Sequence, residues 1–150
     1  MLAAEGMGQL TDIGPFDLGE GRERVRRGDR CYCLWLDGRL AHYCWVQQTG
    51  SHPIEPAAVS VSVRPGVFWL YNARTAEWAR RRGIFRATLE RIVTDYFAAG
   101  YHTAWIYVVR ENVASQKAVL RSGFELDRVL SALRMGTHYF RCPIRASSFP

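Results

Sequence analysis

Apolar and polar positions along the middle of the chain predict a strand, a helix and a second strand. Residues 67–71 and 103–109 are short, mostly apolar runs of strand length. From 84 to 98, apolar residues recur every three or four positions, which is typical of a helix with one core-facing side. Two strands joined by a helix favour a parallel pair with a right-handed crossover. Ligands of such sheets bind beyond the carboxyl ends of the strands, here residues 71–75 and 109–112.

An Asp-Gly pair at 37–38 separates two apolar runs and predicts a hairpin with a two-residue type I′ turn. That register sets Cys33 opposite His42 and Cys31 opposite Cys44, so that all four would share one face. Such residues are zinc ligands, but a cysteine usually packs as a small hydrophobe and the spacing matches no paired zinc motif. We therefore expect no metal. A disulfide between the two opposed cysteines stays an alternative, although directly paired positions are often poorly placed for one.

The next segment predicts a loop and then a strand. Residues 47–56 are polar with two prolines, and His52 and Glu55 in this loop either line a pocket for an acceptor or are simply exposed. Residues 58–63 alternate with period two, which is typical of a half-buried strand. A Pro-Gly turn at 65–66 then predicts that this strand pairs antiparallel with 67–71.

The two ends of the chain are less regular. Residues 1–15 contain three glycines and a proline and predict a loop or a frayed, flexible end, followed by a short helix over 16–27 with Asp17 near its start. The remaining predicted elements are a helix over 115–121, a strand beginning at 123–126, a closing strand over 138–142 and a tail over 143–150. We expect one domain over residues 1–150.

The composition limits the classes of protein to which this chain could belong. The 150 residues are 48% hydrophobic and 23% charged, which is ordinary for a soluble domain, and no run is long and apolar enough to span a membrane. The first residues lack the basic and apolar regions of a signal peptide, so we expect a cytoplasmic, thiol-reducing setting. The net charge of +6 suits an anionic partner, such as nucleic acid, an acidic surface or a phosphorylated cofactor.

The densest positive charge lies in a turn, where Arg80, Arg81 and Arg82 precede Gly83 at the predicted helix start. A helix start has unpaired N–H groups and about half a positive charge, and guanidinium forks fit phosphate oxygens. This combination predicts a site for a phosphate or pyrophosphate. A solvated basic turn is the alternative.

Two segments resemble motifs of the GNAT N-acetyltransferase superfamily. Residues 80–85, Arg-Arg-Arg-Gly-Ile-Phe, are similar to its acetyl-CoA loop, Gln/Arg-x-x-Gly-x-Gly/Ala, with Phe85 in place of the last small residue. Residues 112–124, from Asn-Val-Ala-Ser-Gln to Gly-Phe, resemble its Asn-x-x-Ser/Ala segment ending in Gly-Phe. The resemblance covers about residues 30–135. It implies an α/β (α+β) fold with a central mixed, mostly antiparallel sheet flanked by helices.

The same resemblance implies a shortened N-terminal part and a set of site residues. The chain before the hairpin is too short for the strand and two helices usual there, so acceptor-binding parts are expected to be missing, shortened or supplied by another chain. Cofactor-binding positions carried over from the motifs are Thr75, Ala76, Arg80, Arg81, Arg82, Gly83, Ile84, Phe85, Asn112 and Ser115. The Tyr that protonates the leaving thiolate in many members is replaced by Val119, so the catalytic residues stay unknown, with Glu77, Glu55 and Tyr139 as candidates, followed by Tyr107, Ser115 and His138.

We therefore hypothesise an acyl-CoA-dependent N-acyltransferase that moves an acetyl group from acetyl-CoA to a primary amine of a small molecule or peptide. A non-catalytic GNAT-like module that binds CoA or acts by assembly is the alternative, motivated by Val119, Phe85 and the short N-terminus. A nucleic-acid binder rests on charge alone, since no recognised binding motif is present. Dimerisation is common in this superfamily and stays open here.

Overall fold

The computed structural model describes residues 4–54, 59–130, 132–135 and 138–141, and their side chains over 7–54 and 59–130. The strands are β1 (Arg30–Leu36), β2 (Arg39–Gln47), β3 (Ser51–Ile54), β4 (Val59–Ser62), β5 (Val67–Thr75), β6 (Thr103–Ile106), β7 (Ala132–Met135) and β8 (His138–Arg141). The main sheet has the order β1-β2-β5-β6, in which β5 and β6 are parallel and the other pairs antiparallel.

One face of this sheet is covered by the helices α2 (Ile84–Ala98) and α3 (Val113–Arg121). Phe68 and Leu70 of β5 pack there against Leu89 and Ile92 of α2, and Val119 of α3 joins the same buried cluster. Each such side chain contributes about 1.5–3 kcal/mol by leaving water. The bounds of α2 agree with the predicted helix because the apolar spacing and a glycine at each end mark it. Phe97, one of the apolar residues that recur along this helix, is half exposed.

The opposite face is covered by an N-terminal 3₁₀ helix, Ala4–Ile13, and by α1 (Leu18–Arg26). The prediction of a flexible loop over residues 1–15 is wrong for this helix, because Met7 and Leu10 are buried against β1 and β2. The predicted helix after residue 16 is confirmed, since the side chain of Asp17 accepts a hydrogen bond from the backbone N–H of Glu20 and caps α1. Two helical segments therefore precede β1, while residues 4–29 contain no strand.

The hairpin β1–β2 has the predicted turn but a different register. Leu36 faces Arg39, and a bulge near Leu34 then shifts the pairing by one residue. Cys31 therefore faces Trp45 rather than Cys44, and these two cysteines belong to buried clusters on opposite faces of the sheet. A one-residue shift changes the face of every later side chain, so the predicted four-residue face and the disulfide between those cysteines are both wrong. Within the described residues, no group of three or more His, Cys, Asp or Glu side chains is placed to hold a metal.

Three further predictions about strands are also wrong. The segment predicted as a loop over 47–56 contains β3, and β4 pairs with β3 rather than with β5. No strand begins at 123–126 in the structure. The closing strand is confirmed as β8, which pairs antiparallel with β7. No helix in the described residues is both long and apolar enough to cross a membrane.

Candidate active site

The main sheet opens between β5 and β6. The two strands stop pairing at Leu70 and Ile106, although β5 continues to Thr75. A bulge lies in this part of β5, where Asn72 adopts a left-handed φ of 44°. On the side away from β2, no strand in the described part of the chain pairs with residues 71–75. This edge of β5 therefore offers backbone N–H and C=O groups to a ligand at the predicted end of the strand.

The start of α2 is open as well. Gly83 forms its N-cap with a φ of 72°, and no side chain caps the helix there. A Cβ built on Gly83 would have no described atom within 4 Å, so its surroundings are not packed shut. Arg81 beside it has a φ of 63°, and Arg80 forms an exposed ion pair of 3.3 Å with Glu77. The free N–H groups of the first turn and the adjacent guanidinium groups suit an anion.

His42 of β2 connects the strand end with the helix start. Its Nδ1 lies 2.8 Å from the hydroxyl oxygen of Thr75, and its ring centroid lies 5.7 Å from that of Phe85. The ring is buried, and this burial lowers the pKa of His42 to about 4, so the imidazole is neutral near pH 7. The Nε2 atom has no hydrogen-bond partner in the described structure. Sequence reasoning placed His42 only in the cysteine hairpin and missed this position.

A polar network lies on the other face of the sheet, at the same opening. The hydroxyl of Tyr71 donates a hydrogen bond of 2.5 Å to the Asp29 carboxylate, which also accepts from the Arg27 guanidinium at 2.5 Å. The Asp29 side chain is fully buried. Burial, together with the bond to Asp29, raises the pKa of Tyr71 above its usual value. The guanidinium of Arg24 lies 5.0 Å from the centre of the Tyr71 ring, a cation–π distance.

Solved N-acetyltransferases have a similar fold. Aminoglycoside N-acetyltransferase AAC(6')-Iy in complex with CoA is similar with a TM-score of 0.69 and 16% identity, over 89% of this chain and 96% of that one. The ribosomal-protein-S18-alanine N-acetyltransferase from Escherichia coli is similar with a TM-score of 0.66 and 18% identity, over 83% of this chain and 74% of that one. An N-acetyltransferase from Staphylococcus aureus Mu50 is similar with a TM-score of 0.65 and 17% identity, over 87% of this chain and 84% of that one.

The chain has the GNAT fold. No family model and no curated protein matches the sequence. At these identities the similarity establishes the fold, and the roles of individual residues rest on the geometry of the site.

The first of the segments that resemble GNAT cofactor motifs lies between the end of β5 and the first turn of α2. The strand end with Thr75, the turn with the three arginines and the start of α2 follow one another in the chain. Ala76 is buried, its N–H donates to the carbonyl oxygen of Ala41 at 2.9 Å, and its carbonyl oxygen accepts from the N–H of Ala79 at 3.0 Å, so both of its backbone groups already have a partner. Ile84 is also buried, which anchors the first turn of α2 in the core.

Asn112 and Ser115 lie together at the start of α3. The Oδ1 atom of Asn112 accepts a hydrogen bond of 3.1 Å from the backbone N–H of Ser115, so Asn112 is the N-cap of this helix. Val119, which stands where many members of the GNAT superfamily have a Tyr, is buried in the core of the sheet and helices. No hydroxyl is therefore available at that position to protonate a leaving thiolate.

Of the three candidate catalytic residues, only Glu77 has a side chain that the structure describes. Glu77 is 87% exposed and pairs with Arg80, which does not suit a base held in a dry pocket. Glu55 lies outside the described residues, and Tyr139 is described only as a backbone position of β8 paired with Arg134. His52, predicted in an exposed or pocket-lining loop, is instead a buried residue of β3.

Proposed function

We propose that this protein is an acyl-CoA-dependent N-acyltransferase that moves an acetyl group from acetyl-CoA to a primary amine. The observation that carries the proposal is the unpaired edge of β5 beside the open, arginine-flanked start of α2. An extended ligand with a diphosphate at one end and amides along its length matches such a pair of features. The GNAT fold of the chain supports the same reading.

The proposed cofactor contacts are described from the diphosphate to the pantetheine arm. The guanidinium groups of Arg80, Arg81 and Arg82, with the backbone N–H groups of residues 83–85, would hold the diphosphate. The left-handed Gly83 lets the backbone approach these oxygens, because no Cβ stands in the way. Phe85 occupies a position where the GNAT loop usually has a small residue, and its partly buried ring lies against that of His42. The pantetheine arm would then run along Thr75 and Ala76, with Asn112 and Ser115 opposite.

The cofactor supplies an activated acyl thioester, and the protein supplies polarisation and proton removal. Backbone N–H groups on the edge of β5 near the bulge at Asn72 would donate to the carbonyl oxygen as charge develops on it. One such preorganised donor typically contributes about 100- to 1000-fold in rate. The amine must also lose a proton, for which general base catalysis contributes about 100- to 10000-fold. With Val119 buried, the leaving sulfur takes its proton from another group or from water.

The acceptor is proposed only as a class. The structures similar to this chain include enzymes named for aminoglycosides and for the alanine of a ribosomal protein. A primary amine of a small molecule or of a peptide is therefore the proposed acceptor, and the cytoplasm is the proposed compartment.

A non-catalytic GNAT-like module that binds CoA is the second candidate. The specific observation in its favour is the buried Val119 in place of a proton-donating tyrosine. Both candidates predict CoA binding, whereas only the enzyme predicts turnover.

The experiment has two stages. Acetyl-CoA is titrated into the purified protein by calorimetry and thermal shift, and thiol release is then followed with a panel of amines that includes amino sugars, polyamines and peptide N-termini. Binding with amine-dependent thiol release is the expected result. Binding without release for every amine favours the non-catalytic module, and no binding at millimolar acetyl-CoA overturns both.

A further inference from the structure

The hydrogen bonds around His52 define which of its ring nitrogens carries the proton. The Gln47 amide nitrogen donates to the backbone oxygens of Thr49 and Ser51, at 2.8 and 3.1 Å. This fixes the orientation of the amide, so its oxygen faces His52 Nδ1 at 2.8 Å. An amide oxygen only accepts, which means that Nδ1 must be the donor. The neutral ring therefore has its lone pair on Nε2.

His52 lies at the opening of the main sheet. Its ring stacks on Trp69 of β5 with centroids 4.9 Å apart and an interplanar angle of 15°, and it lies 5.0 Å from the ring of Tyr71. The ring of Tyr107 is 6.1 Å away. Tyr71 and Tyr107 directly follow Leu70 and Ile106, the last residues that pair β5 with β6. The imidazole is therefore placed beside the point where the two strands cease to pair.

Two buried ring nitrogens at this point lack a partner. Neither Nε2 of His52 nor Nε1 of Trp69 makes a hydrogen bond within the described part of the chain, and both residues are more than nine-tenths buried. One of these atoms accepts and the other donates. Buried polar atoms are rarely left unpaired, so a matched acceptor and donor on stacked rings indicate a polar ligand or an ordered water.

We propose that Nε2 of His52 is the general base that takes the proton from the acceptor amine, a role that rests on the proposed N-acyltransferase function. The amine lone pair forms the new C–N bond at the acyl carbon while the C–S bond to the cofactor breaks. The proton leaves the amine nitrogen for Nε2 and then passes to the departing sulfur or to water. The products are an amide and a thiol, and no oxidant or further reactant is needed.

The surroundings keep this nitrogen unprotonated. Burial, helped by the charges of Arg27 and Arg24 and opposed by that of Asp29, lowers the pKa of His52 to about 4. The other titratable groups against the ring are the phenols of Tyr71 and Tyr107. A neutral imidazole with an unpartnered lone pair on Nε2 is therefore present throughout the neutral pH range.

The first test observes the tautomer without any turnover. Ring ¹⁵N spectra of the wild-type protein should show His52 with hydrogen on Nδ1 and an unprotonated Nε2 at pH 7. Gln47→Leu removes the acceptor that fixes the ring and should produce a mixture of the two tautomers. A wild-type ring with hydrogen on Nε2 would overturn the proposal, because that nitrogen then has no lone pair to offer.

The second test measures catalysis with the best amine of the panel. His52→Gln and His52→Phe should lower kcat by about 100-fold or more with acetyl-CoA affinity unchanged by calorimetry. Imidazole added to His52→Ala should restore part of the rate, an effect that a purely structural residue would not produce. His102→Gln, which replaces an exposed histidine outside the opening, is the matched control and should keep wild-type kcat.

The outcomes separate the two proposals. A folded His52→Phe that keeps kcat within threefold of wild type overturns the role of His52 and leaves the enzyme proposal standing. If the wild-type protein shows no amine-dependent thiol release, the enzyme proposal fails first and the general base fails with it. Thermal unfolding of every variant, compared with wild type, shows which variants are folded.

Discussion

The hydroxyl of Tyr71 meets the carboxylate of Asp29 at 2.5 Å although the two residues are 42 positions apart. This contact ties the turn after α1 to β5 immediately beyond the last residue that pairs with β6. The Asp29 side chain has no exposed surface, so its charge is held by hydrogen bonds rather than by water. The segment before β1 therefore takes part in shaping the opening of the sheet.

Tyr71→Phe should lower the free energy of unfolding by about 1–3 kcal/mol, because a hydrogen bond to a buried charge is lost. Urea denaturation at pH 7 measures the change. Tyr32→Phe is the matched control, since the Tyr32 hydroxyl lies 3.5 Å from Asp95, too far for a strong hydrogen bond, and its loss should cost less than about 0.5 kcal/mol. Equal costs for the two variants would contradict a special role for the Tyr71–Asp29 pair.

His42 and His52 should make the protein less stable as the pH falls from about 6.5 to about 4. Burial lowers the pKa of each ring to about 4 in the folded state, so the unfolded chain binds protons more readily in this range. A difference of about 2.5 pKa units corresponds to at most about 3 kcal/mol for each residue. Stability contributed by the neutral rings is thus present above about pH 6.5 and lost toward pH 4.

His42→Gln tests the acid dependence at one residue. Glutamine does not titrate but is able to hydrogen-bond the Thr75 hydroxyl, so the variant should lose less stability than wild type between pH 7 and pH 4 in urea titrations. Thr75→Val removes the hydrogen-bond partner and leaves the imidazole in place, so its free energy of unfolding should change with pH as that of wild type does. If the free energy of unfolding of His42→Gln falls with pH as much as that of wild type, the buried ring of His42 is not the source of the acid sensitivity.

Local patterns of the sequence predicted the elements well where the signal was strong. The bounds of α2 and the Asp-Gly turn of the first hairpin follow from apolar spacing and from turn chemistry, both of which are local. The closing strand β8 follows from its apolar and aromatic run. The fold itself was predicted by the resemblance of two short motifs to the GNAT superfamily rather than by these patterns alone.

Features that depend on partners distant in the sequence were missed. The bulge near Leu34 has no sequence signal, and it changed which residues face Cys31 and His42. Alternation in β4 indicates a strand but does not say whether β3 or β5 pairs with it. The buried positions of Asp29 and His52 were missed because the groups that bury them, above all Tyr71 and Trp69, lie on another strand.

Gly83→Ala should destabilise the protein by about 1 kcal/mol through its backbone conformation. The φ of 72° is unfavourable for a residue with a Cβ, while the open surroundings mean that the methyl group meets no described atom. Gly8→Ala is the control, because Gly8 has equally open surroundings without a positive φ, and it should be neutral or slightly stabilising. Thermal unfolding of both variants checks the difference, and a similar effect at the two positions would contradict the backbone explanation.

Asn112 should have two separable roles, as the cap of α3 and as a contact to the proposed cofactor. Asn112→Asp keeps the oxygen that accepts from the Ser115 N–H but loses the amide donor, so stability should be retained while acetyl-CoA binds more weakly. Asn112→Ala loses both and should also cost about 1 kcal/mol of stability. Urea denaturation and calorimetry of the two variants test this, and an unchanged acetyl-CoA affinity in Asn112→Asp would confine the residue to capping.

Replacing Arg81 and Arg82 together with alanine should weaken the binding of acetyl-CoA about tenfold or more, as expected for the loss of charge-assisted contacts to a diphosphate. Acetyl-pantetheine, which lacks the diphosphate, should bind the double variant as it binds wild type. Arg91→Ala is the matched control, because Arg91 forms its ion pair with Asp95 in the second half of α2, away from the helix start. Calorimetry at two salt concentrations measures all of these affinities. If the double variant binds acetyl-CoA as tightly as wild type, the arginines before Gly83 do not recognise phosphate, and the anion site must be sought elsewhere.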